Sequence, residues 1–158
     1  MEVRNKKVRI GQLWKVPVFC VAAGYISFYV YVFLVSRFGI KVLHDGSYTA
    51  NQVATTVFSI LLFGASLFTG HRIFRSMIRK EVFLSATILV VFHLILQTLQ
   101  LMTGNYDLNF SIGMYMSYAN EWCRIISSLL YSVTKNAWIG AFAVCFAPYL
   151  FVLMKKKD

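Results

Sequence analysis

The chain has 158 residues, enough for one domain, and its composition is that of a membrane protein. Apolar residues make up 58% and charged residues 14%, whereas soluble domains average about 45–50% and about 25%. A net charge of +10 would suggest a nucleic-acid partner in a soluble protein. Here the basic residues flank apolar stretches, so we expect the lipid bilayer as the partner and no nucleic acid.

Four uncharged apolar stretches divide the chain. They cover residues 16–36, 53–70, 82–103 and 136–154, which is 21, 18, 22 and 19 residues. A helix that rises about 1.5 Å per residue needs about 20 residues to cross the hydrocarbon core. The sequence therefore predicts an all-α integral membrane protein with four transmembrane helices, forming a single domain over residues 1–158.

Positive charge predicts the orientation. Of the 16 Lys and Arg residues, 12 flank one side of the spans and four flank the other. The larger group comprises Arg4, Lys6, Lys7, Arg9, Lys15, Arg72, Arg75, Arg79, Lys80, Lys155, Lys156 and Lys157. The smaller group comprises Arg37, Lys41, Arg124 and Lys135. This alternation predicts a multi-pass protein of the cell membrane with both termini cytoplasmic. The short loops fit a bacterial inner membrane, and we expect the first span to be retained as an uncleaved helix.

The long connection before the last span carries a helical pattern. Between residues 110 and 133, apolar residues recur at three- and four-residue steps. They are Ile112, Met116, Ala119, Cys123, Ile126, Leu130 and Val133. The pattern predicts an amphipathic helix that lies on the outer bilayer surface or caps the bundle. The alternative is one long tilted helix continuing into the last span, where Pro148 should introduce a kink.

His93 is the strongest candidate for a binding residue, because it falls near the middle of the third span. Gln97 and Gln100 follow on the same helix face. A titratable group at this depth must face the bundle interior, a cavity or a partner. It either serves a ligand or ion pathway, or it bridges helices through hydrogen bonds to hydroxyls of the first two spans. Tyr25 and Tyr29, which share a face, are candidates for lining a binding pocket.

Small residues mark candidate helix interfaces. Gly64 in the second span, and Gly140 and Ala141 in the fourth, would let another helix approach closely. In the second connection, Arg72, Arg75 and Arg79 recur at helical spacing. They are candidates for binding anionic lipid headgroups in addition to setting the topology.

No motif indicates catalysis, a metal site or a cofactor. Cys20, Cys123 and Cys145 fit neither a redox motif nor a zinc site, and only Cys123 is expected to be accessible. The outer acidic residues Asp45, Asp107 and Glu121, with His44, match no metal spacing and are expected to be solvated. Glu121 and Arg124 are spaced for an i,i+3 ion pair.

The leading functional hypothesis is a non-enzymatic membrane component that forms a homo-oligomer or binds a larger membrane protein. The alternatives are a small homo-oligomeric transporter or channel with its polar site around His93, and a small membrane enzyme or lipid-binding protein. Small size and the scarcity of ionisable groups in the spans favour the first, because one four-helix bundle encloses little room for a translocation path.

Overall fold

The computed structural model describes residues 8–44 and 46–155. Over these residues the fold is mostly helical, with one short β-hairpin. The helices are α1 (Lys15–Phe38), α2 (Gln52–Ile73), α3 (Arg79–Met102), α4 (Tyr106–Ala119), α5 (Arg124–Thr134), α6 (Ala137–Cys145) and α7 (Leu150–Leu153), and the strands are β1 (Ile40–Val42) and β2 (Tyr48–Ala50). Outside the described residues lie several charged residues named above, which are Arg4, Lys6, Lys7, Asp45, Lys156 and Lys157.

Three helical segments are long and apolar enough to cross a membrane. They are Ile10–Phe38, Gln52–Ser76 and Arg79–Met102. They contain the first three predicted spans, apart from the last residue of the third. A short 3₁₀ turn at Phe74–Ser76 connects α2 to α3. The side chain of Asn51 begins α2 by accepting hydrogen bonds from the second and third backbone amides that follow it.

The fourth apolar stretch is not one continuous helix. α6 ends at Cys145, a 3₁₀ turn covers Ala147–Tyr149, and α7 follows. Pro148 lies in this turn, where its ring and missing amide N–H interrupt the α-helical hydrogen bonds. The predicted kink therefore occurs as a complete break, and neither helical piece reaches spanning length by itself.

Arg9 and Lys155, near the two limits of the described residues, bond to the start of α3 and to the α2–α3 connection at one end of the bundle. Nε and Nη2 of Arg9 lie 2.9 and 3.0 Å from the Glu81 carboxylate oxygens. Nζ of Lys155 donates to the backbone carbonyls of Arg75 and Met77 at 3.0 and 2.7 Å. The β-hairpin and the α3–α4 loop lie at the opposite end, because α1, α2 and α3 each run the length of the bundle.

The segment predicted to lie on the membrane surface instead enters the bundle. α4 runs back along α3, a buried 3₁₀ turn covers Glu121–Cys123, and α5 returns toward the end from which α4 came. We call α4, this turn and α5 the inserted hairpin. Its apex is deeply packed: Trp122 is 1% exposed, and its ring lies 6.1 Å from that of Phe63 and 5.5 Å from that of Phe151.

The predicted apolar face of this segment divides: its first part packs inside the bundle, whereas Val133 at its end is 81% exposed. Ile112, Met116, Ala119 and Cys123 are all buried, and they pack against other helices of the same chain. The one-long-helix alternative is also wrong, because Lys135 adopts a left-handed backbone conformation (φ 55°) between α5 and α6.

Candidate functional site

A polar ladder joins α3 to α4. Nε2 of His93 lies 3.3 Å from the hydroxyl oxygen of Tyr115. Gln97 donates to the side-chain oxygen of Gln100 at 3.3 Å, and Gln100 donates to that of Asn109 at 3.4 Å. The amide of Asn109 donates back to the carbonyl of Gln100 at 3.2 Å. The three predicted α3 residues therefore share a face that is hydrogen-bonded across a helix–helix contact.

The ladder is closely packed. His93 is 1% exposed and Gln97 is 3% exposed. A Cβ atom at Gly113 would lie 2.9 Å from Nε2 of Gln100, so this glycine lets α4 approach the ladder. The partners come from α4, not from the hydroxyls of the first two spans. Nδ1 of His93 is buried and has no hydrogen-bond partner among the described residues.

The two tyrosines proposed to line a pocket have different environments. The ring of Tyr25 lies 5.4 Å from the ring of Tyr118 on α4. Phe28 packs against the same Tyr118 ring edge to face, at 4.3 Å. Tyr29 is 68% exposed on the outside of the bundle. Tyr25 thus helps to seat the inserted hairpin, whereas Tyr29 faces outward.

The second polar cluster joins the apex of the inserted hairpin to the first residue of α5. Nη1 of Arg124 donates to Oε1 of Glu121 at 3.0 Å, which confirms the i,i+3 pair. The Glu121 side chain is only 8% exposed, so the expectation of a solvated carboxylate is wrong. The guanidinium carbon of Arg124 lies 4.4 Å from the ring centroid of Tyr31 on α1. The pair therefore joins a buried carboxylate to a guanidinium whose side chain is 44% exposed.

Of the three predicted interface residues, Gly140 packs inside the bundle, whereas Gly64 lies on its outer surface. A Cβ atom at Gly140 would lie 3.0 Å from the carbonyl oxygen of Ser127, so this glycine serves contact between α6 and α5. In this structure the helix next to Gly140 belongs to the same chain. Ala141 is half-buried. Gly64, in contrast, is exposed, and nothing lies within 4 Å of a Cβ atom built there.

Arg72, in the last turn of α2, packs on an aromatic ring. Its guanidinium lies 4.7 Å from the ring centroid of Phe68, one turn earlier on α2.

Cys20, Cys123 and Cys145 are all buried, so the expected accessibility of Cys123 is wrong. Nothing in residues 8–44 and 46–155 brings three or more His, Cys, Asp or Glu side chains together as a metal site.

An apolar groove lies on the side of α3. It has a volume of about 340 Å³ and is lined by Val91, Leu94, Ile95, Thr98 and Leu99. These residues belong to one helix, and the groove is open to the outside of the bundle.

No protein family, characterised protein or solved structure matches this chain. The class is defined by the fold alone: a helical protein with three helices fit to span a membrane. Among the described residues, polar contacts between elements occur in the α3–α4 ladder, in the Glu121–Arg124 pair, and at the end of the bundle where Arg9 and Lys155 bond to Glu81 and the α2–α3 connection. Sequence reasoning predicted the second of these as an i,i+3 pair but placed its carboxylate in solvent, although Asn120 and Glu121 interrupt the apolar pattern at that point.

Proposed function

We propose that the protein is a non-enzymatic, multi-pass component of the cell membrane that acts by binding a second copy or a larger membrane protein. In this proposal α6 and α7 together make a fourth crossing, and both termini are cytoplasmic. The antiparallel course of this pair along α3 supports the fourth crossing. The hydroxyls of Thr87 and Tyr149 lie 3.0 Å apart, and Lys155 bonds to the α2–α3 connection.

The observation that carries the proposal is the bare outer face of α2. Only 17% of the residues in its most apolar part are buried within the chain, compared with 22% for the helix that contains α1 and 39% for α3. Ile60, Leu61 and Phe68 are each more than half exposed on this face, and Gly64 lies among them with open space above it. A glycine flanked by large apolar side chains allows a second helix to approach closely in lipid.

Replacing Gly64 with leucine tests this interface. A Cβ atom added there has nothing within 4 Å and the position is exposed, so we expect the fold and its thermal stability to be retained. It fills the notch, so we expect the homo-oligomer or the complex with a membrane partner to dissociate. Native mass spectrometry of the protein extracted into nanodiscs measures both the mass and the retained partners.

Gly104→Leu is the matched control for this experiment. Gly104 also has nothing within 4 Å of an added Cβ atom, but it lies in the loop after α3. We expect this variant to assemble like the parent protein. If Gly64→Leu leaves every oligomer and every co-purifying protein unchanged, the α2 face is not the interface.

We also propose that the basic end of the bundle contacts anionic lipid headgroups through Arg72, Arg75 and Arg79. These residues lie around the turn that joins α2 to α3, and Arg75 is exposed. Basic side chains next to a membrane surface gain about 1 kcal/mol each from anionic lipids. This contact would fix the depth of the bundle in the cytoplasmic leaflet.

The Glu121–Arg124 pair favours a second candidate, a homo-oligomeric transporter or channel. Intramembrane ion pairs often mark ion pathways, and this pair lies on a broken helix, as substrate sites of transporters often do. In this candidate the polar site lies at Glu121, because His93, where the sequence predicts it, is tightly packed. It predicts that purified protein makes vesicles permeable to protons.

Proton flux into pyranine-loaded vesicles, driven by a potassium gradient with valinomycin, separates the two candidates. Flux that Glu121→Gln abolishes, while Asp107→Asn preserves it, would support a transporter. Asp107 is a suitable control because it is an exposed acidic residue at the start of α4. Flux no greater than that of protein-free vesicles is the result expected for the non-enzymatic partner-binding component.

A further inference from the structure

The β-hairpin between α1 and α2 has two chemically different faces. Its antiparallel register pairs Ile40 with Ala50, Lys41 with Thr49 and Val42 with Tyr48. Side chains alternate between the two faces of a strand, and paired residues share a face. One face therefore carries Ile40, Val42, Tyr48 and Ala50, and the other carries Lys41 and Thr49.

Neither face packs on the bundle. All six strand residues are exposed, including Val42 at 60% and Tyr48 at 75%. A two-stranded hairpin with three residues in each strand is at best marginally stable in water. A surface outside the described protein must therefore cover the apolar face for the hairpin to keep this shape.

The attachment of the hairpin restricts what that surface can be. Gly39 alone separates α1 from β1, and Asn51 alone separates β2 from α2. The backbone amide of Asn51 donates to the carbonyl of Gly39 at 2.7 Å, which closes the base of the hairpin. Because α1 and α2 both have spanning length, the hairpin begins where two membrane helices end, which is the headgroup region of the bilayer.

The residues around the hairpin suit that region. Tyrosine is enriched at membrane–water interfaces, where its ring and hydroxyl meet different environments. Arg37 and Lys41 supply positive charge on either side of Gly39, and basic groups are favoured beside lipid phosphates. Phe38, at the end of α1, is 64% exposed and adds a further apolar side chain at the same level.

We propose that the hairpin is a lipid-binding element. It lies on the bilayer surface, with Ile40, Val42 and Tyr48 inserted among the lipids and with Lys41 and Thr49 directed toward water and phosphate. The occupant of the apolar face is the interfacial layer of phospholipid. This inference is independent of the proposed partner-binding function, because it concerns neither the α2 face at Gly64 nor any other chain.

Spin labels on neighbouring residues test the proposal. Val42→Cys and Tyr48→Cys place a nitroxide on the apolar face, and Lys41→Cys and Thr49→Cys place it on the polar face. The native cysteines are buried, at 0–1% exposure, which limits background labelling of the folded protein. The full chain is studied in nanodiscs of phosphatidylethanolamine and phosphatidylglycerol. Two paramagnetic reagents collide with the nitroxide: oxygen, which partitions into lipid, and a nickel chelate, which stays in water.

The measured quantity is the ratio of oxygen to nickel collision rates at each label. We expect this ratio to be at least a few-fold higher at positions 42 and 48 than at positions 41 and 49. Equal ratios at all four positions, or a reversed order, would overturn the proposal. Shielding of positions 42 and 48 from both reagents would also overturn it, because a protein surface would then cover the face. All four sites are exposed, so the labels displace no packed side chain.

Discussion

Replacing Gly24 with alanine is expected to displace the inserted hairpin and to lower the free energy of unfolding more than any other single methyl addition described above. Gly24 lies in the middle of α1, where the backbone at the end of α4 crosses it. An added Cβ atom would overlap the carbonyl oxygen of Ala119 and lie 2.5 Å from the carbonyl oxygen of Tyr118. Both obstacles are backbone atoms, so no rotamer change can relieve them.

The expected cost is about 1–3 kcal/mol or more, the range for overpacking a closely packed site. The three buried cysteines provide the measurement, because a thiol-reactive dye labels them as the protein unfolds on heating. We expect the labelling midpoint of Gly24→Ala to fall by several degrees. An unchanged midpoint would mean that α1 and the inserted hairpin are not in this contact.

Gly64→Ala, compared on the monomer so that the proposed α2 interface is unoccupied, is the matched control, because it is the same change in the interior of another long helix. The added methyl group meets nothing within 4 Å. Alanine is favoured over glycine in a helix interior by about 1 kcal/mol. The labelling midpoint is therefore expected to stay the same or to rise, which separates a steric effect at Gly24 from a general effect of losing glycine.

Replacing Glu81 with alanine is the second change for which we expect a large effect. The carboxylate is completely buried. It accepts hydrogen bonds from the backbone amide, Nε and Nη2 of Arg9, and from the backbone amide of Ile78 at the start of α3. Alanine removes the acceptor for all of them. A hydrogen bond to a charged group contributes about 1.5–3 kcal/mol, and less where the donor can be solvated, as for the 53% exposed side chain of Arg9. We expect the thermal midpoint to fall by several degrees.

Asp107→Ala serves as the control for removing a carboxylate. Asp107 lies in the first turn of α4, where a negative charge gains at most about 1 kcal/mol from the helix dipole. Limited proteolysis of the N-terminal segment adds a local readout, because loss of the Glu81 contacts should expose the chain near Arg9. Equal midpoints and equal cleavage for Glu81→Ala and the parent protein would show that these hydrogen bonds do not hold the segment.

The three long helices could be predicted because length and apolarity alone identify a helix that suits a bilayer. The course of residues 110–133 could not. A periodic apolar face shows that a helix buries one side, but the same pattern suits lipid, a membrane surface or another helix. The deciding feature is Gly24, whose missing side chain makes room for the backbone near Ala119, and such pairing across nearly a hundred residues leaves no local signal.

The polar site could also be predicted only in part. The spacing of His93, Gln97 and Gln100 places them on one face, and the structure brings that face against a neighbouring helix. Their partners Asn109 and Tyr115 were out of reach, since they contact the ladder only because α4 folds back along α3. Gly140 shows the same limitation, because a small residue predicts close helix contact without indicating whether the neighbouring helix belongs to the same chain.

The inserted hairpin also bears on how the protein is made. α4 and α5 have 14 and 11 residues, each shorter than the length that a translocation channel releases into lipid as a span. The helices that receive the hairpin, α1, α2 and α3, emerge from the ribosome before it, and α6, which packs along α5, emerges after it. The order of the chain thus lets α1, α2 and α3 assemble first, the inserted hairpin pack against them second, and α6 cover the hairpin last.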